Sequence, residues 1–100
     1  MIMEHALLNV RSGQSAAFEH AISQAVPLIA ATPGFVDMEL RPCVERENLY
    51  LLLVRWRSVE DHEAGFRQSE RYRRWQNLLH HFYEPFPEVL HFGEPLIDTR

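Results

Sequence analysis

The sequence predicts an α+β protein of the ferredoxin-like class, a split βαβ arrangement in which a four-stranded antiparallel sheet carries its helices on one face. Strand-like and helical stretches follow one another in the order strand, helix, strand, strand, helix pair, strand. The chain has 100 residues, of which 46% are apolar and 11% aromatic, enough for one packed core. We therefore expect a single domain over residues 1–100, with its core from about 3 to 92 and a C-terminal tail from 93 to 100.

The first strand and the first helix are predicted from two different periodicities of apolar residues. Residues Glu4 to Val10 alternate as a strand with apolar side chains on both faces. A turn follows, and Ser12 or Ser15 is expected to cap the helix. Pro27 lacks an amide donor and crowds a carbonyl, so we expect the helix to kink or end near it. The apolar stripe of this helix consists of Phe18, Ala21, Ile22, Ala25, Val26 and Ile29.

The second and third strands differ in polarity. Phe35 to Val44 alternates between apolar and polar residues, and Pro42 suggests an edge or a bulge near its end. Leu49 to Trp56 is apolar on both faces and is the strongest strand signal in the chain. The polar run between them predicts a turn.

Two short helices and a last strand complete the order. Ser58 and Asp61 resemble a capping box, which predicts a short helix to about Arg67. Ser69 is placed to open the next helix, a Pro-Phe-Pro stretch ends it, and Val89 to Phe92 is the last strand. The apolar face of the second helix consists of Tyr72, Trp75, Leu79 and Phe82.

Two strands that are apolar on both sides imply a second covering layer. Helices on one face leave the other face of the sheet exposed, with more apolar surface than a monomer usually shows. A two-fold arrangement that packs sheet against sheet buries this surface. We therefore expect a homodimer.

Charge and composition exclude several classes of protein. The net charge of −4 and the scattered acidic residues disfavour nucleic acid, and the basic cluster is interpreted as a solvated helix face. No apolar run is long enough for a membrane helix. The single Cys43 forms no intrachain disulfide, and the N-terminus has no secretory pattern, so a cytoplasmic protein is expected. The basic cluster consists of Arg67, Arg71, Arg73 and Arg74.

Four stretches together resemble the antibiotic biosynthesis monooxygenase (ABM) family, whose members are dimeric α+β barrels. They are VRSGQSAAF at Val10 to Phe18, ATPGF at Ala31 to Phe35, YLLLVRW at Tyr50 to Trp56, and SVEDHEAGFRQSERYRRW at Ser58 to Trp75. The resemblance implies a ligand pocket between the sheet and the helices. The best-known members oxidise phenolic or anthrone-like polyketides with molecular oxygen and without metal or flavin, and another branch degrades haem.

The residues that carry chemistry in the family match only in part. In the haem-degrading branch Asn9 matches a strand Asn, but Phe66 stands at the Trp position and Gln76 at the axial His position. Haem degradation is therefore not expected, because the iron ligand is missing. In the polyketide-oxidising branch an Asn, Trp and Tyr fall on His62, Phe66 and Tyr72, of which only Tyr72 matches.

The residues themselves suggest which side chains carry the reaction. Asn9 lies in an otherwise apolar strand, so its amide needs a partner, either a ligand or a neighbouring backbone group. His91 lies within the last strand, where a neutral imidazole would serve as a general base, although a half-exposed structural histidine is the simpler interpretation. We predict Asn9, Tyr72, His91 and His62 as the catalytic residues.

Aromatic side chains at helical spacing either wall a planar ligand or form plain core. We predict Phe66, Trp75, Phe82 and Tyr83 as substrate-binding residues. The six histidines show no zinc-site spacing, so neither a metal nor another cofactor is expected.

The function predicted from these observations is a cofactor-independent monooxygenase. Its partners would be molecular oxygen and a small aromatic substrate of the quinol, anthrone or polyphenol type. Two alternatives stay open: a non-catalytic dimeric module that binds a small aromatic metabolite, and an oxygen-independent, isomerase-type activity on the same scaffold.

Overall fold

The fold is a four-stranded antiparallel sheet with its helices packed on one face. A computed structural model describes all 100 residues. The strand order is β2-β3-β1-β4, and β1 pairs with both β3 and β4, as the split βαβ prediction requires. The elements are β1 (Ile2–Asn9), α1 (Ser15–Ala30), β2 (Phe35–Pro42), β3 (Leu49–Trp56), a π-helical segment (Asp61–Phe66), α2 (Glu70–Leu79), a 3-10 turn (His80–Phe82) and β4 (Val89–Phe92).

Strand alternation gives the sheet an inner face under the helices and an open face on the other side. The inner face of β1 and β3 is buried and forms most of the sheet's share of the core. The open face is apolar too but remains accessible. The inner face consists of Glu4, Ala6, Leu8, Tyr50, Leu52, Val54 and Trp56, and the open face of His5, Leu7, Asn9, Leu49, Leu51, Leu53, Leu90 and Phe92.

The first helix ends close to Pro27, as predicted, but corrects the expected cap. It includes Pro27 and ends at Ala30, and because Pro27 and Ser23 are both exposed, water can satisfy the carbonyl that Pro27 leaves free. Neither serine caps it: the helix begins at Ser15 without a side-chain cap, and the Ser15 hydroxyl instead donates to Asn48 Oδ1 at 2.5 Å. Helix α1 packs against α2, and this contact continues the core above the sheet.

The segment after β3 carries His62 onto the inner face of the sheet. Asp61 N donates to Ser58 Oγ at 3.2 Å, which confirms the predicted cap. The turn that follows is wound as a π-helix, with Arg67 N donating to His62 O at 2.9 Å. Gly34, with φ of 92°, lies against its start, and a Cβ at Gly34 would overlap the Asp61 carboxyl.

The remaining boundaries follow the sequence closely. Ser69 Oγ accepts a hydrogen bond from Tyr72 N at 3.2 Å and caps α2 as predicted. Strand β3 has the predicted limits, whereas β2 ends at Pro42 rather than at Val44. No helix has the length and apolar composition needed to cross a membrane.

Candidate functional site

A small cavity lies between the inner face of the sheet and the helices. Its volume is about 60 Å³, less than half of the roughly 150 Å³ of an engineered apolar cavity that binds benzene. An aromatic ring therefore enters only if lining side chains move. Most of its wall is apolar, formed by Leu8, Ile29, Phe66, Trp75, Tyr83 and Phe86, and its polar groups are Glu4, His62, Arg67, Tyr72 and His80.

A polar cluster lies beside the cavity and consists of the buried Glu4, Trp56 and His62 and the half-buried His91. Sheet register places Glu4 directly across from His91, and the side chain of Trp56 lies on the same face. Trp56 Nε1 donates to Glu4 Oε1 at 2.9 Å. His62 stacks on the Trp56 indole at 5.2 Å between centroids, with its Nε2 3.3 Å from Glu4 Oε1 and its Nδ1 2.8 Å from His91 Nε2.

The burial of this cluster disfavours charge on both members of the Glu4–His62 contact. Burial, with the nearby charges of Arg67 and His91, lowers the pKa of His62 to about 3, so its imidazole is neutral at pH 7. Burial raises the pKa of Glu4, although the Trp56 hydrogen bond and the charge of Arg67 act in the opposite direction. The short Glu4–His62 distance is therefore a contact to a neutral imidazole and not an ion pair.

Arg67 supplies the positive charge of the cavity. Its guanidinium lies close enough to Glu4, His62 and Tyr72 to favour the deprotonated form of each. Arg67 Nε is buried and has no hydrogen-bond partner in the protein, and a buried unpaired donor costs on the order of 1–3 kcal/mol. Tyr72 stands at the same edge, and burial raises the pKa of its phenol, so Tyr72 is a hydrogen-bond donor at neutral pH.

Most of the predicted aromatic residues lie around this cavity, but Phe82 does not. Phe66, Trp75, Tyr83 and Tyr72 all line it. Phe82 is buried in the core, where its ring packs against Phe18 at 5.7 Å between centroids. The apolar face of the helix ends in the 3-10 turn, and this change of helical geometry directs Phe82 away from the cavity.

Two predicted polar residues need correction or refinement. Asn9 lies on the open face, in a shallow groove with His5, Leu7 and Phe86, because alternation along β1 points it away from Leu8 and the cavity. His62 lines the cavity, whereas His91 does not and reaches it only through its contact with His62. His62 lies between Glu4 and His91 and uses a different nitrogen for each, so the three side chains do not converge on one point as metal ligands would.

Glu4 and Arg67 also line the cavity, but they are not among the site residues that the sequence predicts. Glu4 shares the period of Ala6 and Leu8, so a carboxyl on a buried strand face was the available signal. Arg67 was grouped with the solvated arginines of the following helix, but it is the one that lines the cavity. Its position directly after the buried Phe66 was the available signal.

The fold and the cavity define an α+β protein of the ferredoxin-like class with a small cavity between sheet and helices. The sequence model of the antibiotic biosynthesis monooxygenase family matches residues 1–78. The chain belongs to this family.

Known relatives span nearly the whole chain. The uncharacterized protein YczJ of Bacillus subtilis is 46% identical over 94 residues, which cover 94% of this chain and 99% of that protein. A crystal structure from Bordetella bronchiseptica that bears the same family name superposes with a TM-score of 0.90 at 33% identity, over 95% of this chain and 97% of that one. SnoaB of Streptomyces nogalater, a cofactor-independent oxygenase, superposes with a TM-score of 0.86 at 17% identity, over 99% and 97% of the two chains, and at this identity shows the fold alone.

Proposed function

We propose that this protein is a cofactor-independent monooxygenase that acts on a small, single-ring phenol or quinol. One observation carries the proposal: a permanent cation, Arg67, and a phenol donor, Tyr72, line the same aromatic-walled cavity close to each other. Family membership supports an oxygenase on this scaffold. The small volume favours one ring over the fused rings of an anthrone.

Arg67 and Tyr72 would bind the oxygen substituent of the substrate as it becomes an anion. A phenolate is the electron-rich form that reacts with molecular oxygen, and a fixed positive charge in a low-dielectric site stabilises it. Tyr72 donates a hydrogen bond to the same oxygen. Phe66 and Trp75, whose rings lie edge to face at 5.6 Å, would hold the ring between them and the sheet.

The reaction balances without a further reductant, because the substrate supplies all four electrons that reduce O2 as the phenol becomes a quinone. Removal of the O–H proton gives the phenolate, and a ring carbon that carries hydrogen bonds to one atom of O2. The peroxide takes up a proton. Loss of the C–H proton then forms the new C=O bond while the O–O bond breaks, and hydroxide leaves as water. One oxygen atom remains in the product quinone and the other leaves as water.

Oxygen uptake tests this function. The purified, metal-free protein is supplied with substituted phenols and hydroquinones, and uptake is corrected for autoxidation. We expect saturable uptake that Arg67→Gln lowers in kcat/KM by roughly 10- to 100-fold, the loss of one charge-assisted hydrogen bond. Arg73→Gln is the matched control, because Arg73 is exposed on the neighbouring helix α2 and pairs only with Glu70. Uptake that never exceeds background, or equal loss in both variants, would contradict the proposal.

The small cavity also favours a second candidate, a module that binds a single-ring metabolite without changing it. His62 and Phe66 stand where the polyketide-oxidising branch of the family has an Asn and a Trp. Neither replacement prevents the binding of a ligand. This candidate predicts that a phenol protects the protein against thermal unfolding while oxygen uptake stays at background. An oxygenase shows both effects.

We further propose that the protein works as a homodimer through the open face of the sheet. Leu7, Leu90 and Phe92 are each 44 to 49% exposed on that face, and contiguous apolar patches of this kind are rare on monomers. Asp37 and Arg55 pair at its border. A second copy related by a two-fold axis would cover the patch and leave each cavity, on the other side of its sheet, within one subunit.

A further inference from the structure

One buried carboxyl remains without a role in the proposed site. Glu4 is only 5% exposed, lines the cavity and has no cation within ion-pairing distance other than a contact to the neutral His62. Both of its close contacts, from Trp56 and His62, are made to Oε1. Oε2 is therefore available to a molecule in the cavity.

We propose that Glu4 is the acid–base residue of this site, and that Glu4, His62 and His91 form one proton-exchange unit in which the two histidines position it. This inference rests on the proposed function for its chemical role, because it names the group that removes and returns the substrate proton. The existence of the unit itself rests only on the geometry of the three side chains.

The geometry couples the charge of Glu4 to the tautomers of both histidines. A neutral His62 carries one ring proton. When Glu4 is ionised, that proton is favoured on Nε2, facing Oε1 at 3.3 Å, and His62 Nδ1 accepts from His91 Nε2. When Glu4 is protonated at Oε1, this hydroxyl donates to His62 Nε2, and the His62 proton lies on Nδ1 and donates to His91 Nε2. Trp56 Nε1 donates to Oε1 in both states, because a hydroxyl oxygen can accept one hydrogen bond while it donates another.

The charged and titratable neighbours of the unit are few. Arg67, at the end of the π-helical segment, acts on Glu4 and His62 as a positive charge. The charge of Glu4 contributes to the raised pKa of the Tyr72 phenol on α2. Burial raises the pKa of Glu4, while Arg67 favours its carboxylate, and a carboxyl group with a raised pKa suits a residue that must both take and give a proton.

Glu4 then carries out each proton transfer of the reaction. The Glu4 carboxylate takes the substrate O–H proton at Oε2 and leaves the phenolate beside Arg67. After the ring carbon has bonded to O2, Glu4 returns that proton to the peroxide. Glu4 finally removes the C–H proton as the O–O bond breaks and delivers it to the leaving hydroxide, so the residue ends as it began.

Histidine ¹⁵N NMR of the full-length protein tests the unit without any substrate. In the wild type we expect the His62 and His91 ring signals to change tautomer together, at one pH midpoint, with His62 staying neutral above about pH 4. Glu4→Gln places its amide oxygen at Oε1, because Trp56 must donate to it, and so should hold His62 as the Nε2–H tautomer at every pH above about 4. His20→Gln, on the exposed side of α1, is the control and should leave the joint change intact.

Kinetics tests the chemical role. Glu4→Gln should lower kcat by roughly 10²- to 10⁴-fold with KM nearly unchanged, His91→Phe should lower it less, and His91→Gln should restore most of that loss. Independent titration of the two histidines, or a joint change that persists in Glu4→Gln, would overturn the unit. An unchanged kcat in Glu4→Gln would overturn the acid–base role. Absence of uptake in the wild type would overturn the proposed function alone, since the NMR experiment still decides the unit.

Discussion

The two faces of the sheet carry almost the same kind of sequence but have different surroundings. Adjacent residues of β1 show it: Leu8 is 2% exposed on the inner face, and Leu7 is 48% exposed on the open face. Both are leucines in one regular strand, so neither propensity nor hydrophobicity separates them. The two leucines differ in exposure because the helices pack over the inner face only. The comparison teaches that an apolar strand face predicts a covering layer without saying which layer covers it.

Each face also contains a polar residue among apolar ones, and the two have different consequences. Glu4 on the inner face is enclosed with Trp56 and His62 at the cavity. Asn9 on the open face lies in a shallow groove and has no part in that cavity. A polar side chain in an apolar strand therefore lines the cavity only on the sheet face that the helices cover.

The largest expected effect separates the faces by stability. Leu8→Ala removes a fully packed side chain and should lower the free energy of unfolding by about 2–5 kcal/mol. Leu7→Ala should lower it by less than about 1 kcal/mol at low protein concentration, where no second copy covers the open face. Urea unfolding of both variants measures the difference. Equal losses at low concentration would mean that the two faces are equally packed within one chain.

The next effect concerns the second copy. The test variant is Leu51→Arg, at a position directly across from Leu7 on the open face. A charge buried between two apolar sheets should raise the dimer dissociation constant at least about 100-fold, which corresponds to about 3 kcal/mol. Sedimentation measures the association state, and circular dichroism checks that each subunit stays folded. Leu96→Arg in the exposed tail is the control, and a wild type that is monomeric at high concentration would contradict the proposal.

A further effect is a pH dependence of stability that comes from the inner face. His62 has a folded-state pKa of about 3, against about 6.5 in an unfolded chain. The unfolded state therefore binds the proton more readily, and stability falls as the pH decreases from about 6.5 toward 3, by at most about 1.4 kcal/mol per pH unit. Glu4, with its raised pKa, acts in the opposite direction, losing stability as the pH rises through its folded-state value.

Comparison with His62→Gln isolates the histidine. The difference in unfolding free energy between wild type and variant should shrink on acidification over that range, because the variant has no proton to take up. Urea unfolding at several pH values measures it. A difference that stays constant with pH would mean that His62 titrates normally in the folded protein.

The sequence predicted the architecture because its signals are local. The limits of β3, the caps at Ser58 and Ser69 and the apolar face with Trp75 and Leu79 all follow from spacing within one element. The first helix continues through Pro27 to Ala30, and the cost of this last turn depends on whether a carbonyl reaches water, which is a property of the folded surface.

The sequence by itself determined the fold class and the family, since periodicity and short motifs encode them. Only the tertiary structure decided which polar groups share the cavity. Glu4, His62 and His91 come from three separate elements, and strand register together with a π-helical turn brings their side chains into contact. The same alternation points Asn9 away from the cavity. Distances between remote segments depend on how elements pack, and no spacing within a single element contains that information.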